Sequence, residues 1–150
     1  MDVPKVVADI MSRNLVTLCE EDDLVLIEPT MEKFRFRHMP VVDGDKLVAL
    51  VSQRDMLRVS AGTLGRARES LDNLLKTQYF VADIMTRDLT TIRADTPIVE
   101  AAQLMAQGKF GCLPVVEDDN TLVGIITEHD FVKLAITLLG GEVDENGDQA

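Results

Sequence analysis

The sequence predicts an α+β fold of two βαββα units, packed sheet to sheet about a pseudo-two-fold axis. The first observation behind this is an internal repeat. Val7-Ala8-Asp9-Ile10-Met11 recurs unchanged as Val81-Ala82-Asp83-Ile84-Met85, at an offset of 74, and self-similarity of this kind marks a duplicated structural unit. The second is that the register persists. Arg13, Leu15, Thr17, Met31, Phe36 and Pro40-Val41-Val42 match Arg87, Leu89, Thr91, Met105, Phe110 and Pro114-Val115-Val116 at 74, and Leu47-Val48 and Asp55 match Leu122-Val123 and Asp130 at 75. The inserted residue falls in the turn Glu117-Asp118-Asp119-Asn120, where an extra residue is tolerated best. The third is size. A unit of about fifty residues with three short apolar strands is marginal alone, so the sheets of the two copies are expected to cover each other.

The same elements can be read in both copies. Leu15-Val16-Thr17-Leu18 and Leu89-Thr90-Thr91-Ile92 are β-favouring runs. Asp22-Asp23 and Asp95-Thr96-Pro97 are helix-start signals. Ile98, Ala101, Ala102 and Met105 then recur at helical spacing, as do Leu24, Ile27, Met31 and Phe34. Pro29 lies inside the earlier pattern and should kink that helix or delay its start. Two strands follow in each copy, Met39–Val42 with Lys46–Val51 and Leu113–Val116 with Thr121–Ile126, joined by Asp43-Gly44-Asp45 and by Glu117–Asn120. They are apolar almost throughout, which predicts cover on both faces. Closing helices run from Ser52 to about Ser60 and from Thr127 to about Leu139. The organisation is a first repeat over 6–60, a helical linker over 61–79, a second repeat over 80–139 and an acidic, disordered tail over 140–150.

Composition narrows the function. A net charge of −11 disfavours nucleic acid, whose phosphates need clustered Lys and Arg. Tyr79 is the only tyrosine and Trp is absent, so base stacking has little to use. No run reaches membrane-spanning length and no signal core follows Met1, so a cytoplasmic protein without a membrane partner is expected. Cys19 and Cys112 do not match between the copies and read as free thiols. His38 and His129, the only histidines, have no Cys or carboxylate at ligand spacing, so no metal site is expected. No nucleophile–base constellation, Walker loop or GxGxxG occurs, so no catalytic residues are assigned and no enzyme is expected.

The segment that points to chemistry follows the third strand. It reads Val51-Ser52-Gln53-Arg54-Asp55 in one copy and Ile126-Thr127-Glu128-His129-Asp130 in the other. A hydroxyl three residues before an acid is a helix-capping pattern. The same geometry presents backbone N–H groups and a positive dipole end, which suit phosphate, and an acid that can accept from a ribose diol. With Ile10-Met11-Ser12, Met39-Pro40-Val41-Val42-Asp43 and their partners Ile84-Met85-Thr86 and Leu113-Pro114-Val115-Val116-Glu117, these segments resemble a tandem pair of CBS domains (a Bateman module), as in a stand-alone CBS-domain protein. The resemblance covers 6–60 and 80–139.

The resemblance implies clefts between the copies that take AMP, ADP, ATP or S-adenosylmethionine as a regulatory ligand, with no required cofactor. It implies that Asp55 and Asp130 hold ribose hydroxyls and that Ser52 and Thr127 contact phosphate or ribose. Thr17 and Thr91 line the base pockets, the backbone near His38-Met39 and Cys112-Leu113 reads the adenine edge, and Pro40 and Pro114 help to wall it. Arg35, Arg37, His38 and Arg54 stand at the phosphate end of one copy, where the other has Lys109, Gly111, Cys112 and His129. Arginine is charged at every working pH, so the Ser52/Asp55 site is expected to be the better anion site. The resemblance also implies a homodimer, paired through helices such as 22–34, 97–107 and 127–139, and an effector protein of unknown identity. The alternatives are a structural dimerisation module whose hydroxyls only cap helices, and a module that responds to Mg²⁺.

Overall fold

The computed structural model describes residues 3–62, 80–108 and 110–143. In chain order these form a 3₁₀ turn (Val7–Asp9), a second 3₁₀ turn (Leu24–Leu26), α1 (Ile27–Phe34), β1 (His38–Asp43), β2 (Lys46–Ser52), α2 (Gln53–Gly62), α3 (Val81–Ile84), α4 (Ile98–Ala106), β3 (Cys112–Val116), β4 (Leu122–Thr127) and α5 (Glu128–Leu138). The linker helix expected over 66–76 and the tail from 144 lie outside the described residues. None of the described helices is long and apolar enough to cross a membrane.

The chain separates into two units, and the division does not follow the border between the copies. One unit is Val16–Leu89, here the amino unit; the other joins Met1–Leu15 to Thr90–Ala150, here the carboxy unit. Each copy therefore gives its opening segment to the unit built around the other copy.

In the amino unit, β1 and β2 form an antiparallel hairpin from His38↔Ser52 to Asp43↔Lys46, with a bulge between Val41 and Val42. Gly44 takes φ +64° in its turn, a conformation that glycine adopts without strain. The strand predicted at Leu15–Leu18 shrinks to one parallel bridge, Leu18↔Val41. Leu18 donates its N–H to the Pro40 carbonyl and accepts from the Val42 N–H, at 2.8 Å each. The next rung would need an N–H from Pro40, which proline lacks, so the ladder stops. The sheet therefore has two strands and not the expected three.

Before α1, Asp23 accepts from the Val25 N–H at 3.2 Å, and a 3₁₀ turn delays the α-helix to Ile27. Pro29 is its third residue, where no intrahelical acceptor awaits its missing N–H. The core gathers Leu24, Ile27, Met31, Met39, Val41 and Val51, together with Val81 from the second copy.

The carboxy unit repeats this plan. β3 and β4 pair from Cys112↔Thr127 to Val116↔Leu122. Ile92 makes the single parallel bridge to Val115, and Pro114 ends that ladder for the same reason. The extra residue lies in the β3–β4 turn, where Asn120 takes φ +70°. Its core holds Ile92, Ala101, Met105, Leu113, Val115 and Ile126, together with Val7 from the first copy. Cover is complete on β3, whose five residues are all buried, but β2 alternates buried and half-buried residues, a one-sided pattern where two-sided cover was expected.

The exchanged segments dock by matching bonds. Val7 and Ala8 donate to the carbonyls of Thr96 and Ala94, while Val81 and Ala82 donate to those of Asp22 and Glu20. Ser12 exchanges two backbone bonds with Ile125, and Thr86 exchanges two with Leu50. Val7 and Val81 are both 0% exposed. The repeated acid closes each helical turn: Asp9 accepts from the N–H of Lys5 and Val6, and Asp83 from that of Phe80. Those two N–H groups hold the Asp9 carboxyl below its ordinary value of 3.8. Their stabilisation is present above that value and is lost as the pH falls through the lower, folded one.

Candidate functional site

Ser52 ends β2 and Asp55 lies in the first turn of α2, so strand and helix meet at the pair. The Ser52 N–H and hydroxyl both donate to Asp55 Oδ2, at 2.8 and 3.0 Å, and the Asp55 N–H returns to Ser52 Oγ at 3.1 Å. Asp55 is 6% exposed, and its Oδ1 stands 3.6 Å from Arg58 Nη1. The second copy has the same arrangement. Thr127 donates its N–H and hydroxyl to Asp130 Oδ2 at 2.8 and 3.3 Å, and Lys133 Nζ lies 3.6 Å from Asp130 Oδ1. Asp130 is 2% exposed. The capping pattern is thus realised in both units.

The expectation of open N–H groups at the start of α2 needs correction. The Gln53 N–H donates to the Arg37 carbonyl at 2.8 Å, and that of Asp55 is taken by Ser52. The first turn of α2 closes on its own chain at these two positions. The cap bonds fall on Oδ2, while Oδ1 faces the Arg58 guanidinium.

The other expected residues collect around these pairs within each unit. His38 faces Ser52 across the ladder, and Cys112 faces Thr127. Met39, Leu113, Pro40 and Pro114 are buried, so these positions can present backbone atoms to a ligand but not free side chains. Thr17 and Thr91 are exposed, one residue before the bridging Leu18 and Ile92. Arg54 and His129 are exposed third residues of the cap sequences, and Arg37 is exposed in the bend before β1. Within the amino unit Thr17, Arg37–Pro40 and Ser52–Asp55 share one end of the sheet. Within the carboxy unit Thr91, Cys112–Pro114 and Thr127–Asp130 do the same.

A hollow of about 600 Å³ also opens in the amino unit between α1 and α2. Arg35, Arg37 and Gln53, which the sequence set near the phosphate end, line it beside Glu28 and Glu32. Sequence reasoning missed it. The available signal was the stripe Glu28, Met31, Glu32, Arg35 at helical spacing, which mixes apolar and charged residues.

Cys19 is exposed and Cys112 is buried, both as free thiols. Burial pushes the Cys112 thiol up to about 12 from 9.0. The folded protein therefore favours the neutral thiol, and that stabilisation is complete below about pH 9 and lost as the pH rises toward about 12. A disulfide-exchange reagent at neutral pH should label Cys19 alone in the folded chain and both thiols after denaturation. Rapid labelling of Cys112 in the native state would contradict this placement.

Comparison with known proteins places these units in context. The CBS domain family matches residues 7–62 and 81–136. Protein MJ1232 of Methanocaldococcus jannaschii is 36% identical over 107 residues, which is 71% of this chain and 30% of that protein; the chain spans about a third of that relative's length. The structure of CBSX2 of Arabidopsis thaliana in complex with AMP superposes with a TM-score of 0.75 at 27% identity, covering 91% of this chain and 99% of that one. The CBS domain pair of protein MJ0100, solved with 5′-methylthioadenosine and S-adenosyl-L-methionine, gives 0.72 at 26% identity, covering 87% and 98%.

Proposed function

The chain belongs to the CBS-domain family, and from that premise we propose that it is a regulatory module that binds an adenine nucleotide or S-adenosylmethionine and passes the bound state to a partner protein. One observation carries the reading: both units hold the same buried aspartate at a strand-to-helix junction, held by a hydroxyl and an N–H on Oδ2 and beside a basic side chain on Oδ1. The AMP complex of CBSX2 and the S-adenosylmethionine complex of MJ0100 support an adenosine-bearing ligand. Asp55 and Asp130 would accept from the ribose diol, and the backbone at His38-Met39 and Cys112-Leu113 would meet the base. Thr17, Thr91, Pro40 and Pro114 would bound the base, and Ser52 and Thr127 would act through the aspartates that they orient.

The two sites are unequal in this reading. Arg37 and Arg54 supply fixed positive charge near Asp55, where Gly111 and His129 stand near Asp130, so phosphate should favour the amino unit. Binding and not catalysis fits the residues: both hydroxyls cap helices, and Cys112 is held as a neutral thiol. The module acts as a homodimer and signals to an effector protein. The capping bonds also favour a second reading, a structural module without ligand.

A thermal-shift panel of AMP, ADP, ATP, S-adenosylmethionine and Mg²⁺ separates these readings. A ligand that binds only the folded chain, at a hundred times its Kd, adds about 2.7 kcal/mol of stability. A shift with an adenosine ligand supports the proposal. A shift with Mg²⁺ alone supports a cation-responsive module, and no shift supports the structural one.

A further inference from the structure

Each site aspartate has a basic side chain three residues on. Arg58 Nη1 stands 3.6 Å from Asp55 Oδ1, and Lys133 Nζ stands 3.6 Å from Asp130 Oδ1. The two bases match at 75, the offset that relates the two aspartates. Residues three apart share a helix face, so each base lies one turn along α2 or α5 from the carboxylate that it faces. The cap bonds fall on Oδ2 in both copies. A ligand diol therefore meets a carboxylate whose other oxygen already has a cation beside it. At 3.6 Å that contact is an ion pair and not a hydrogen bond, so it can open without breaking the cap.

The two pairs differ in their exposure to water. The Arg58 side chain is 72% exposed and that of Lys133 is 27% exposed. Exposed pairs hold little, because water and salt screen them, and partly buried pairs are screened much less. The Lys133 pair is accordingly the firmer of the two.

We propose that Lys133 restrains the Asp130 site. Its ammonium group occupies the Oδ1 side of the carboxylate, and a ribose hydroxyl is accepted there once the flexible lysine stem swings toward solvent. Arg58 imposes a weaker form of the same restraint, so ligand fills the Asp55 site at lower concentration and the Asp130 site later. This restraint rests on the adenosine-bearing ligand proposed above. It acts on the ribose, whereas Arg37 and Arg54 act on the phosphate, and a ligand without phosphate separates the two.

The test is calorimetric titration of adenosine into the full chain, with Asp55→Asn as the background in which the Asp130 site binds alone. Lys133→Met keeps the apolar stem and should raise the affinity about threefold. Lys133→Arg keeps the charge and should leave the affinity as it was. Lys133→Gln serves as a second neutral variant, and urea denaturation verifies that each chain folds. In the Asp130→Asn background, Arg58→Met should change the affinity by less than about twofold. Adenosine affinity that is unchanged or lowered in both neutral variants would overturn the restraint and leave the ligand reading intact. The same adenosine result with a lower affinity for AMP would make Lys133 a phosphate contact instead. Adenosine and AMP that bind neither the unaltered chain nor any variant would overturn the ligand reading and the restraint together.

Discussion

Replacing Val7 by aspartate is expected to unfold the carboxy unit first, although Val7 belongs to the first copy in sequence. Val7 is 0% exposed and packs in one cluster with Ile92, Leu113, Val115 and Ile126. A carboxylate there would have no buried partner, at a cost of about 4 kcal/mol or more. That is a large share of the 5–15 kcal/mol typical of a whole domain. Hydrogen exchange read by mass spectrometry should lose protection over 90–106 and 112–127 before 38–52. Val81→Asp should give the reverse pattern, because Val81 lies in the cluster of Leu24, Met39 and Val51. Losses that follow the sequence copies, with Val7→Asp exposing 38–52 first, would contradict the exchange of opening segments.

Removing either site aspartate should cost stability before any ligand is considered. Asp130→Ala strips the Thr127 N–H and hydroxyl of their acceptor at a position 2% exposed. A lost cap costs about 1 kcal/mol and an orphaned donor adds about 1–3 kcal/mol, so a loss of about 2–4 kcal/mol is expected. Asp55→Ala should lose a similar amount through Ser52. Asparagine keeps an acceptor oxygen and should recover most of the loss in both cases. Urea denaturation checks this as a lower midpoint at unchanged slope. Alanine variants that unfold at the unaltered midpoint would show that the cap holds nothing together.

Much of this fold was legible because its signals are local. Asp43-Gly44-Asp45 and Glu117–Asn120 mark the hairpins, and the Ser52 and Thr127 patterns mark the helix starts. Pro29 delays α1 as its missing N–H requires. The exchange of opening segments was not legible. Apolar spacing shows that Val7 and Val81 are buried but not in which unit, since the two copies offer nearly identical receiving surfaces. The first strand was overread for a related reason. Leu15–Leu18 favours β structure, but Pro40, distant in sequence, ends its ladder. At the site, the sequence placed the Ser52/Asp55 and Thr127/Asp130 pairs together, with His38 and Cys112 across the ladder. It could not separate cap from ligand contact, because both need a hydroxyl and an acid at the same spacing. The hydrogen bonds show the capping role, on Oδ2 of each carboxylate, and the ligand role is what the proposal adds.

Calorimetric titration of AMP into the full chain, beside Asp55→Asn and Asp130→Asn, tests the proposed function most directly. Asparagine preserves the cap, so a loss of affinity reports contact with ligand. The account predicts binding to the unaltered chain and a larger loss from Asp55→Asn than from Asp130→Asn, because Arg37 and Arg54 accompany Asp55. Unchanged affinity in both variants, or no binding of AMP, ADP, ATP or S-adenosylmethionine to the unaltered chain, would contradict it.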